Sequence, residues 1–238
     1  MTAFVELWVY LSATPLFGLA ATLSVYVVAQ AFYLRLGQAA WANPVLWSVL
    51  ALAGLLQLTH TAYPVYFSGA QFIHFLLGPA VVALGWPLWQ RRFEVQRNAR
   101  ALLLSALGGG AAAAVSAGAL GWAFGLPTEL VLSLLPKSVT APVAMGLADR
   151  LGGMAALAAV FAVVTGMIGA LSAPILSRLM RLSRSERDQR ILGFALGTAA
   201  HGIGAARALN LNPTAGAYAG LALGLQVVLA SVLLPWLA

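Results

Sequence analysis

The chain has 238 residues, of which 61% are hydrophobic and only 8% charged, with a mean hydropathy of +0.90. Soluble domains carry about 25% charged residues, so composition excludes a soluble globular fold and predicts a polytopic, all-α integral membrane protein. The net charge is +7 at a pI of about 10.6, but the basic residues cluster in short loops between apolar runs, which points to membrane orientation and not to nucleic acid. Cysteine is absent, excluding disulfides, thiolate catalysis and Cys-ligated metals.

Apolar runs of spanning length leave room for about seven or eight segments and no soluble domain, so residues 1–238 read as one transmembrane domain. No basic n-region precedes the first apolar stretch, which argues against a signal peptide. Residues 4–13 are too short to span. The first span runs from about Pro15 to Leu34 and ends at Arg35, with Tyr26 within it. Asn43-Pro44 opens a second span to about Thr59. His60 to Gly69 reads as a turn whose Tyr63, Tyr66 and Phe67 suit the headgroup level. A third segment, about 70–89, should break at Gly78-Pro79, since proline removes a donor and interrupts a helix. Arg91, Arg92, Arg97 and Arg100 follow, then a Gly/Ala-rich span from Ala101 to Phe124. A further span covers about 153–177, and Arg178, Arg181, Arg184, Arg187 and Arg190 form the most basic loop. Ile191 to Leu209 reads as a seventh segment, and Ala215 to Leu237 as the last span.

Charge constrains the path. Both arginine loops should be cytoplasmic, so the spans at 101–124 and 153–177 run out and back. Two full helices between them would need about 40 residues, and only about 28 are present. A re-entrant hairpin or a broken pair of half-helices over 125–150 solves this; a single crossing is the alternative. Counting back places the N-terminus outside. Leu76–Ala83 and Leu134–Ala141 share four of eight positions, a candidate for an internal inverted repeat.

The segment Leu134-Leu135-Pro136-Lys137-Ser138-Val139-Thr140-Ala141-Pro142 places a lysine and two hydroxyls between two prolines inside an apolar region. A helix broken there frees backbone amides whose dipole favours an anion. Lys137 adds charge, and Ser138 and Thr140 add donors, which together suit a small carboxylate. The alternatives are a lysine that snorkels to the headgroups and hydroxyls that only satisfy freed backbone. A second constellation runs from Gly193 to Arg207. Gly193, Gly197, His201 and Gly204 share one helical face and allow close packing. Thr198 lies beside them, and Gly202 and Gly204 weaken the helix after His201. His201 reads as a ligand or proton donor, or as an interhelical hydrogen bond. Enzyme readings lack support: HExxH, Walker A and paired membrane-depth aspartates are absent. No cofactor or metal is expected.

The motifs Leu76–Leu84, Leu134–Ala144 and Gly197–Arg207, with Asn43-Pro44 and Tyr26, closely resemble the LrgB (CidB, antiholin-like) family in order and spacing. The resemblance implies two functions: regulation of a holin-like pore and murein hydrolase activity with an LrgA/CidA-like partner, or transport of small monocarboxylates, as in plastid glycolate/glycerate translocators and pyruvate-moving bacterial pairs. The lysine and hydroxyls at a helix break favour the second. The expectation is an oligomeric carrier in a bacterial inner membrane, with Lys137 and the half-helix amides on the carboxylate, Ser138 and Thr140 on the hydroxyl or keto oxygen, and His201 and Thr198 facing them.

Overall fold

The computed structural model describes residues 15–237 except 77, 78, 80–84 and 91. The described residues are helical and contain no strand. They divide into two compact units, 1–82 and 83–238.

In the first unit, helices α1 (Pro15–Arg35), α2 (Pro44–Leu58) and α3 (Tyr63–Phe75) pack together, with α1 touching both others. Asn43 caps α2 by accepting from the amides of Val45 and Leu46, with Pro44 at the first turn where its missing N–H costs nothing. The expected aromatic turn is instead the start of α3. Tyr63, Tyr66 and Phe67 lie on this helix, and the Tyr66 hydroxyl hydrogen-bonds Thr22 at 2.7 Å. A β-carbon on Gly18 would come within 2.0 Å of the Tyr66 carbonyl, so α1 meets α3 backbone to backbone. The predicted third segment is not one continuous helix through its first half: α3 ends at Phe75, and Gly78 of the predicted Gly78-Pro79 break lies outside the described residues.

The second unit contains α4 (Gly85–Gln90), α5 (Arg92–Arg97), α6 (Ala99–Ala123), α7 (Thr128–Leu134), α8 (Ala141–Leu151), α9 (Ala155–Leu179), α10 (Glu186–Leu211) and α11 (Pro213–Leu233). With α1, the helices α6, α9 and α11 are long and apolar enough to cross a membrane. Glu94 of α5 pairs with Arg190 of α10 at 3.4 Å and accepts a hydrogen bond from Tyr218 of α11. The two arginine-rich stretches therefore lie at one end of the unit, the arginine end, as their charge predicts.

From that end α6 runs the length of the unit, and α7 turns back along it. Gly121 of α6 meets Val131, Gly118 meets Leu135, and the Ala113 carbonyl accepts from Lys137. The chain then breaks. Leu134 is the last residue of α7, Pro136 is fully buried, and α8 starts at Ala141 with Pro142 in its first turn. α8 ends on Gly152 in the left-handed region at φ 81°, where a glycine carries no β-carbon penalty. Ser133, in the last turn of α7, ties that half-helix to the start of α9. It donates to the Glu129 carbonyl and accepts from the amide of Met154 at 2.7 Å. The broken pair of half-helices expected over 125–150 is thus present, and it opens away from the arginine end.

The seventh segment is corrected. α10 is not a continuous rod over 191–209 but a second hairpin. Ala200 (φ −123°, ψ 15°) and His201 (φ 40°, ψ −132°) leave helical geometry. Residues 196 and 204 would stand about 12 Å apart in a straight helix, yet a β-carbon on Gly204 would lie 2.4 Å from the Leu196 carbonyl. The arm after the break returns beside the arm before it. Leu209 and Gly193 both reach the start of α11, at Gly216 and Ala215 respectively. Gly193 and Gly197 then lie on the carbonyls of Ala215 and Ala219. The first arm and α11 therefore run parallel, with their backbones in contact at small residues. Leu192, Leu196, Ala208, Ala215 and Ala219 close a core with Ala173 of α9.

Candidate functional site

The two hairpins enter the unit from opposite ends, one opening at the arginine end and one away from it. Their tips converge on the same stretch of α6. Lys137, at the first tip, donates to the Ala113 carbonyl at 3.3 Å. Thr198, two residues before the second break, packs where Gly109 has no side chain, its methyl 2.8 Å from the position of a β-carbon there. Gly109 and Ala113 are four residues apart and share a face of α6, separated by about 6 Å. Ala113 is ten residues from the α6 C-terminus, a depth of about 15 Å, near the middle of this 25-residue helix.

Ser138 opens on a cavity of about 430 Å³ between α6, the first hairpin tip and α11. Gln226 of α11 lines the same cavity. It is 4% exposed, and its amide donates to the Ala106 carbonyl at 2.5 Å. Its carbonyl oxygen occupies the space that a β-carbon on Gly110 would fill. The rest of the lining is aliphatic. The sequence reading missed Gln226. Its signal was a single amide in an otherwise apolar span, which in lipid is expensive unless it is paired. Ser133 was missed for the same reason.

Thr140 stands at the N-cap of α8, where a threonine ordinarily accepts from the helix amides. It makes no such bond, and its hydroxyl is buried without a partner. The Thr198 hydroxyl is in the same condition. Each hairpin tip thus carries one unpaired hydroxyl. Most buried polar groups in folded proteins are paired, and the exceptions concentrate where water, an ion or a ligand binds.

His201 occupies the second tip and is 4% exposed. Its Nε2 lies 2.7 Å from the carbonyl of Ala162 on α9. The ring fills the space beside Gly166, where a β-carbon would come within 2.9 Å. Ala162 also belongs to the core that holds Val139 and Ala144 of the first hairpin, so α9 packs against both hairpins. Gly197 and Gly204 serve backbone contact, whereas nothing stands within 4 Å of a β-carbon at Gly202. The structure brings Lys137 and Thr198 to neighbouring turns of α6 and Ser138 to a shared cavity with Gln226. It hands His201 to α9. Among the described residues no group of three or more His, Cys, Asp or Glu side chains could hold a metal.

A family described as the LrgB-like family matches residues 22–238. An uncharacterized protein of Haemophilus influenzae is 31% identical over 82% of this chain and 82% of its own length. The Bacillus subtilis protein YxaC, also uncharacterized, is 33% identical over 79% of the chain and 80% of its length. The holin-like protein CidB of Staphylococcus aureus is 30% identical over 81% of the chain and 82% of its length. No solved structure matches.

Proposed function

Because the chain belongs to the LrgB-like family and is a multi-pass membrane protein, we propose that it is a carrier for small hydroxy- or keto-monocarboxylates such as glycolate, glycerate, lactate or pyruvate. It works in a bacterial cytoplasmic membrane, with a small LrgA/CidA-like partner. The observation that carries the reading is the pair of opposed hairpins whose tips converge on Gly109–Ala113 of α6 with a lysine at one of them. Broken helices meeting near the midplane are how carriers expose polar backbone to a solute without exposing it to lipid. Lys137 supplies the cation and the amides at the start of α8 add a favourable dipole. Ser138, Thr140 and Thr198 supply hydroxyls, and two of these have no protein partner. His201 holds the second tip against α9.

The test is reconstitution in liposomes with and without the partner, following labelled glycolate and pyruvate. Wild type is expected to move at least one of them, and Lys137→Ala to lose most of that flux. Absence of flux in both settings would remove the carrier reading. Unchanged flux in the variant would remove only the role of Lys137.

The staphylococcal relative, holin-like protein CidB, favours a second reading in which the chain regulates a holin-type pore. That reading expects dye leakage through the partner to change on adding this chain, with no saturable monocarboxylate uptake.

A further inference from the structure

A second cavity, of about 490 Å³, lies between α6, the first arm of α10 and α11. Arg190, Phe194 and Thr198 line it at four-residue spacing, so they form a ladder on one helical face. Arg190 lies toward the arginine end, and Thr198 about 12 Å further in along the axis, against Gly109. Arg190 is latched in place. It pairs with Glu186 at 2.5 Å and Glu94 at 3.4 Å, and its guanidinium sits 5.4 Å from the centre of the Tyr218 ring.

Two buried polar atoms of this ladder have no hydrogen-bond partner, the Arg190 Nε and the Thr198 hydroxyl, and Thr198 is only 6% exposed. A helical threonine normally satisfies its hydroxyl on the carbonyl four residues back, and leaving it bare costs about 1–3 kcal/mol. Both atoms can donate, so the ligand that suits them is rich in lone pairs. The two loops at this end carry nine arginines against three acids in the sequence. A cleft walled by low dielectric focuses such a field and concentrates anions. Glu94 and Glu186 hold the guanidinium of Arg190 at the mouth with its Nε left unpartnered, and the surplus of arginines in the loops adds long-range attraction.

We propose that this cavity is an inner vestibule for the transported carboxylate, with Arg190 as the capture station at its mouth and Thr198 as the contact at its floor, one step before the hairpin tips. The carboxylate identity rests on the carrier reading; the vestibule and its preference for anions do not.

The natural chain has no cysteine, so Thr198→Cys carries a single thiol. The full chain in oriented vesicles is treated with membrane-impermeant anionic and cationic thiol reagents of matched size. Labelling is expected from the arginine end only, about tenfold faster with the anionic reagent. Adding Arg190→Gln should cut that ratio by about fivefold, and Arg190→Lys should keep most of it. Glu94→Gln leaves the guanidinium in place and should raise the ratio, which keeps the test decisive if R190Q aggregates. Ala195→Cys, on the same wall, repeats the measurement if T198C folds poorly. Glycolate or pyruvate should slow the labelling. Failure of both thiols to react from the arginine end, or a charge ratio indifferent to Arg190 and Glu94, overturns the vestibule. Charge-selective labelling that no monocarboxylate slows, in a protein without flux, overturns the carboxylate and with it the carrier reading.

Discussion

Single residues in this protein divide by what stands where their side chain ends. A β-carbon at Gly197 would lie 2.1 Å from the Ala219 carbonyl, and one at Gly202 would meet nothing within 4 Å. Gly197→Ala is therefore expected to destabilise by about 1–3 kcal/mol through forced separation of α10 and α11. Gly202→Ala should be neutral or stabilising by up to about 1 kcal/mol, since alanine is the better helix former. Thermal unfolding in one detergent compares the two. The threonines make a complementary case. Thr140 and Thr198 have no hydrogen bond to lose, so Thr140→Val and Thr198→Val should leave the melting temperature unchanged or raised while lowering monocarboxylate uptake at least several-fold. A fall in stability that matches the fall in uptake would assign these hydroxyls to the fold. Asp188 is a different kind of residue, exposed at the start of α10. The hydroxyl and amide of Ser183 hold its carboxyl below the ordinary carboxylate pKa, helped by Ser185. A depressed folded pKa stabilises above the unfolded value of about 3.9 and is lost as pH falls through the lower, folded one. The melting difference between wild type and Asp188→Asn should accordingly be full at neutral pH and vanish only in strong acid.

At the scale of elements, the two hairpins were unequally legible. Pro136 and Pro142 announced the first break, because each removes an amide and proline is disfavoured beyond the first turn of a helix. The loop charges then limited how much chain could lie between α6 and α9. The second break contains no proline. Its 26 residues have spanning length, and Gly202 and Gly204 signalled only weakness. What reverses the chain is tertiary. Ala200 seats against Gly169 and the His201 ring against Gly166, with the Ala162 carbonyl holding the imidazole. Those partners lie about 30 to 40 residues away in sequence, beyond the reach of any local pattern. His201 itself was visible as a residue, but its positive φ of 40° was not. The aromatic stretch at Tyr63 suits an interfacial turn by composition, but it is helical, and Tyr66 bonds Thr22 of α1. His201→Ala should remove the second hydrogen bond of the Ala162 carbonyl and empty the space beside Gly166, at a cost of about 1–3 kcal/mol, whereas His201→Gln, which can still donate, should recover part of that loss on the same unfolding assay.

Across the second unit, Glu94, Glu186, Arg190 and Tyr218 tie α5, α10 and α11 into one cluster at the arginine end. Arg190 is 42% exposed, so a double-mutant cycle of Glu94→Gln with Arg190→Gln should return a coupling of only about 0.2–1 kcal/mol. The long helices give the unit its membrane character, and the hairpins give it an interior where polar backbone can be spared contact with lipid. The second hairpin also has a consequence for biosynthesis. A rod that reverses halfway leaves backbone groups unmatched, and such a segment cannot partition into lipid by itself. It must wait until α9 and α11 provide walls for it. A reporter fused after Asn212 should therefore report the same side as one fused at Arg184, and chains truncated before α11 should fail to protect residues 186–211 from protease during synthesis.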